Sequence, residues 1–60
     1  MVIKSYKKDD VEIVMNKSVN NLYSVQLRGP KPNSNSNLTY EDADELFDFY
    51  MEKEMGTKND

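Results

Sequence analysis

The hydrophobic pattern of this 60-residue chain changes its period once, from two residues in the first half to 3.6 in the second. In Val11-Glu12-Ile13-Val14-Met15, residues Val11, Ile13 and Met15 share one face of an extended backbone. In Leu22-Tyr23-Ser24-Val25-Gln26-Leu27, Tyr23, Val25 and Leu27 share a face, with Ser24 and Gln26 opposite. Both segments read as half-buried strands. Further on, Ala43, Leu46, Phe47, Tyr50 and Met51 fall at i, i+3, i+4, i+7 and i+8, which is the apolar stripe of a helix. Strands first and a helix after specify an α+β fold, with the helix laid across one face of the sheet.

Turn chemistry divides the elements. Lys17-Ser18-Val19-Asn20-Asn21 joins the two clear strands, and its paired asparagines tolerate the left-handed backbone of a hairpin loop. Val2 to Tyr6 is a further strand, separated from Val11 by the polar turn Lys7-Lys8-Asp9-Asp10. Its inward face is ambiguous, since Ile3 supports one register and Val2 with Tyr6 the other; the expectation is Ile3 inward. Gly29-Pro30-Lys31-Pro32 ends the last strand, because proline cannot donate to a ladder. The polar Asn33-Ser34-Asn35-Ser36-Asn37 that follows has nothing to bury, so residues 29–38 read as a linker inside the domain. Thr39 is placed as the helix N-cap, Asp42 completes a shortened capping box, and Leu38 can staple onto Ala43. The helix is expected from Tyr40 to Met55, with Gly56 as its stop.

The expected architecture is therefore a three-stranded antiparallel β-meander with one C-terminal α-helix on one face (βββα). Residues 1–56 form a single small domain and residues 57–60 a disordered tail. The expected core is Ile3, Val11, Ile13, Met15, Tyr23, Val25, Leu27, Ala43, Leu46, Phe47, Tyr50 and Met51.

A chain this short buries only about 60% of its unfolded surface, so its stability is marginal. Cysteine and histidine are both absent, which excludes disulfides, zinc fingers and c-type haem attachment. Self-association is the remaining reinforcement. The sheet face away from the helix is expected to carry Val14, Leu22 and either Val2 or Tyr6, an apolar patch that a symmetric homodimer would cover. The first residues contain no apolar run long enough for a signal-peptide core, and no segment approaches the ~20 apolar residues of a membrane span. The expectation is a cytoplasmic protein without membrane contact.

The net charge of −3 conceals a polarity. Residues 1–38 hold six basic groups against three acids, whereas residues 39–60 hold two basic groups against eight acids. The basic half could contact phosphates, with Tyr6 or Tyr23 stacking on bases, but six dispersed cations beside an acidic helix make a weak footprint for nucleic acid.

Nucleophilic catalysis lacks its usual parts: five serines have no histidine to activate them, and Ser18 beside Lys17 is mere adjacency. The acidic residues Glu41, Asp42, Asp44, Glu45 and Asp48 lack the alternation and turn glycine of an EF-hand loop and lie on a helix, where they diverge. No catalytic, cofactor or metal residue is assigned.

Phe49 is the residue that stands out. It lies on the polar side of the helix, among Glu45, Glu52 and Lys53, and should be exposed. An aromatic ring surrounded by charge is a common form of binding hot spot. Glu41, Asp42, Glu45, Asp48, Phe49 and Glu52 are accordingly the expected partner-binding residues, steering a basic protein partner by charge and anchoring it by the ring. Such a face could also imitate a phosphate backbone. With seven asparagines and seven lysines, the composition resembles in a general way that of small accessory proteins of phages and mobile elements in AT-rich bacteria. The resemblance covers no specific motif; the expected function, a small non-enzymatic interaction protein that binds or inhibits a host macromolecule, rests on the acidic helix face. The alternative is a nucleic-acid-binding module using the basic sheet half.

Overall fold

The computed structural model describes residues 1–55. Four strands, β1 (Val2–Lys8), β2 (Val11–Lys17), β3 (Tyr23–Arg28) and β4 (Asn33–Leu38), precede one helix, α1 (Tyr40–Met55). They form one antiparallel sheet in the order β1-β2-β3-β4. The class is α+β, as the change of period implies, but the meander has four strands and not three. The tail expected over residues 57–60 and Gly56 as the helix stop lie outside the described residues.

The connections follow the turn chemistry. Asp9 and Asp10 join β1 to β2, with Asp9 at φ 56°. A tight turn over Val19–Asn21 joins β2 to β3, and both Asn20 (φ 58°) and Asn21 (φ 59°) take the left-handed backbone that asparagine tolerates. The loop closes where the Ser18 N–H donates to the Leu22 carbonyl at 2.7 Å and the Leu22 N–H to the Val19 carbonyl at 3.1 Å. Gly29, at φ 153°, turns the chain out of β3, and a Cβ there would lie 3.3 Å from the Asp10 carbonyl oxygen.

The linker expected over residues 29–38 is half wrong. Asn33–Leu38 is β4, pairing Leu27 with Asn33, Gln26 with Ser34 and Val25 with Asn35, then slipping register before Tyr23 meets Leu38. Asparagine and serine have poor strand propensity, but β3 offers an edge of unpaired backbone groups, and satisfying those groups outweighs the local preference. One side chain also ties the strand to the helix: Asn35 Nδ2 donates to the Tyr50 hydroxyl at 3.1 Å.

Ile13, Met15, Val25, Leu27, Ala43, Phe47 and Tyr50 are buried between the sheet and α1. Val11, Tyr23, Leu38, Leu46 and Met51 pack around them, partly covered. Ile3 is the one expected core residue that fails, being 39% exposed. Lys4 to Lys8 pair without a break with Met15 to Val11, a register set at the Asp9-Asp10 turn, and the extra residue that β1 carries between Val2 and Lys4 leaves Ile3 without a cross-strand partner. Beyond it Lys4 lies opposite Met15 and Tyr6 opposite Ile13, so these two residues share the helix side. Lys4 then does what Ile3 was expected to do: its Nζ sits 4.6 Å from the centroid of the Phe47 ring and pairs with the Asp44 carboxylate. The long stem covers the ring while the charge stays at the surface.

The open side of the sheet is polar. By cross-strand pairing it presents Ser5, Lys7, Glu12, Asn16, Ser24, Gln26, Arg28 and Ser34. Arg28 reaches Glu12 and Gln26, each at 3.4 Å. Val14 is on this side yet only 6% exposed, because its neighbours close over it. Since Tyr6 faces the helix side and Val14 is covered, the patch expected to support a homodimer shrinks to Val2 and a half-buried Leu22.

Candidate protein-interaction face

The start of α1 is fixed from several sides. The Thr39 hydroxyl accepts the Asp42 N–H at 3.2 Å, and the Thr39 carbonyl accepts the Ala43 N–H at 2.9 Å, so Thr39 is the N-cap the sequence indicates. Tyr40 packs edge-on against Tyr23 with ring centroids 5.3 Å apart, which ties the first turn to β3. Glu41 and Asp42 lie in that first turn, where the positive end of the helix dipole favours them.

With the apolar stripe held against the sheet, the opposite face of α1 points to solvent. Glu41, Asp42, Glu45, Phe49 and Glu52 are exposed, as expected, and Asp48 is half-buried. Phe49 is 54% exposed. Its ring lies 5.9 Å from that of Tyr50, and the Lys53 ammonium sits 5.5 Å from its centroid. The ring face therefore already accepts a cation from its own helix.

Two shallow hollows flank this ring. One, of about 320 Å³, is lined by Leu38, Asp42, Glu45, Leu46 and Phe49. The other, of about 290 Å³, is lined by Phe49, Glu52 and Lys53. Of the six residues singled out in the sequence, Asp42, Glu45, Phe49 and Glu52 are brought together around these hollows, whereas Glu41 and Asp48 border neither. Asp44, on the other shoulder of the helix, is engaged by Lys4.

Sequence reasoning missed Leu38 and Leu46 as parts of this face. Both pack on the core and also line the larger hollow. The signal was present for Leu46, which sits at the margin of the apolar stripe next to Phe49 on the helical wheel. Leu38 could not be placed there without knowing that it ends an edge strand.

Among the described residues no group of three or more acidic, histidine or cysteine side chains could hold a metal ion, and no buried side-chain polar atom lacks a hydrogen-bond partner. No described helix is long and apolar enough to cross a membrane. Comparison with protein-family models, with curated proteins and with solved structures finds no match for this chain.

Proposed function

We propose that this chain is a small non-enzymatic interaction protein that binds a basic protein partner through the exposed face of α1, and so adapts or inhibits a larger macromolecule. The observation that carries this is Phe49: a large apolar ring, more than half exposed, between two hollows rimmed by Asp42, Glu45 and Glu52. Left in water, such a ring forgoes roughly 1–1.5 kcal/mol of burial, which a partner would recover. The surrounding charge also has a cost in the free protein. Glu41 with Glu45 and Asp48 with Glu52 are like charges four residues apart on one helix, each pair unfavourable by a few tenths of a kcal/mol. A basic partner relieves that repulsion and is steered by the same field.

The nucleic-acid alternative has less behind it. Of the six cations in the sheet half, Lys4 is committed to Asp44 and Phe47, and Arg28 lies beside Glu12. Lys4 and Lys7 also lie on opposite sides of the sheet. A homodimer is not required by this proposal, because the open side of the sheet is largely polar.

Capture from an extract of the native host, with tagged protein and two variants, tests it. Phe49→Ala should weaken recovery of the partner about 30-fold, the equivalent of ~2 kcal/mol for a hot-spot aromatic. Glu45→Lys combined with Asp48→Lys should lower recovery and flatten its dependence on salt. Equal recovery by all three proteins, each shown to be folded, would exclude this face.

A further inference from the structure

The two edges of the sheet are unlike. β1 carries Lys4, Lys7 and Lys8, charges that discourage pairing with another chain, while an irregularity occurs in both edge strands, at Ile3 in β1 and between Asn35 and Leu38 in β4, where Asn37 takes φ 59°. β4 carries no charged residue, and among the described residues no strand lies outside it. One outward donor on β4 can be located: the Ser34 N–H donates to its neighbour's Asn33 Oδ1 at 2.8 Å, so it does not point into the β3 ladder. That donor is held by an exposed side chain, a partner easily exchanged. The hollow lined by Leu38, Leu46 and Phe49 opens where this same strand ends, on the helix side of the sheet.

We infer that β4 and this hollow together accept an extended segment of another protein as a fifth strand. The proposal rests on the reading of α1 as an interaction face and specifies what it receives. A strand added outside β4 would lie about 4.8 Å from it, with alternate side chains directed to the helix side. There an apolar side chain enters the hollow beside Leu46 and Phe49. Side chains two positions before and after it, about 6.8 Å away on the same face, reach its rim. The rim is Asp42 and Glu45, so those flanking residues are lysine or arginine. Charge also selects against a second copy of this chain, which would set two acidic rims near each other.

Two nine-residue peptides of identical composition test this against ¹⁵N-labelled protein. In Thr-Thr-Lys-Thr-Leu-Thr-Lys-Thr-Thr the lysines share the face of the leucine; in Thr-Thr-Thr-Lys-Leu-Lys-Thr-Thr-Thr they oppose it. The first should bind in the millimolar range and shift amides of both β4 and α1, and the second at least threefold more weakly. Phe49→Ala should weaken the first peptide at least fivefold. Ser34→Pro, which removes the outward donor and leaves the β3 ladder intact, should abolish the β4 shifts. Methylation of alternate backbone nitrogens in the first peptide should do the same without altering the protein. If both orders and the methylated peptide bind equally while Phe49→Ala still weakens them, strand addition is overturned and the helix-face proposal stands. Absence of any amide shift up to about 5 mM peptide also overturns it, as does a dimer in sedimentation that Ser34→Pro dissolves.

Discussion

Lys4→Ala is the substitution that most sharply separates this structure from the simplest reading of its first strand. Lys4 Nζ lies over Phe47 and pairs with Asp44, with the two charged side chains 37% and 39% exposed. A half-exposed cation–π contact contributes about 1 kcal/mol. The ion pair, discounted for its exposure, adds about 0.5 kcal/mol. Loss of about 1.5 kcal/mol in a domain of this size lowers the melting temperature by roughly 6–12 °C. Ile3→Ala, at a residue that is unpaired and 39% exposed, should cost less than about 1 kcal/mol. Thermal and urea unfolding followed by circular dichroism measures both, and a double-mutant cycle with Asp44→Asn isolates the pair at about 0.5 kcal/mol. The register would be refuted by the opposite order, in which Ile3→Ala costs the 2–5 kcal/mol of a core truncation and Lys4→Ala costs nothing.

Two further substitutions probe the connections. Thr39→Ala should cost about 1 kcal/mol in urea unfolding by removing the N-cap acceptor, with Thr39→Ser restoring most of it. Gly29→Ala should cost about 1–2 kcal/mol, because φ 153° is closed to side chains and the new Cβ would press on the Asp10 carbonyl; wild-type stability would show that the chain leaves β3 differently.

What was legible in the sequence was whatever hydrophobic periodicity or a specific turn residue recorded. β2 and β3 announced themselves by alternation, α1 by its stripe and Thr39, and the hairpin loop by Asn20 and Asn21. β4 alternates as strictly as any strand, Asn-Ser-Asn-Ser-Asn, but in polar residues, where period carries no burial signal. Its existence depends on β3 having a free edge, a fact about tertiary structure. Ile3 failed for a related reason. The pairing that runs back from the β1–β2 turn places Tyr6 and Lys4 on the helix side, and one extra residue beyond Lys4 leaves Ile3 out of the ladder. The exposed face of α1 was readable because a helix fixes which residues look outward. The hollow beside it was not, since Leu38 comes to it from the end of a strand the sequence concealed.

The most direct test of the interaction face is a map of amide chemical-shift changes in ¹⁵N-labelled protein as the captured partner is added. Changes should concentrate on Leu38, Asp42, Glu45, Leu46, Phe49 and Glu52, and should largely vanish in Phe49→Ala. Changes gathered instead around Lys7, Gln26 and Arg28 on the open side of the sheet, with α1 silent, would contradict the assignment of α1 as the surface that binds.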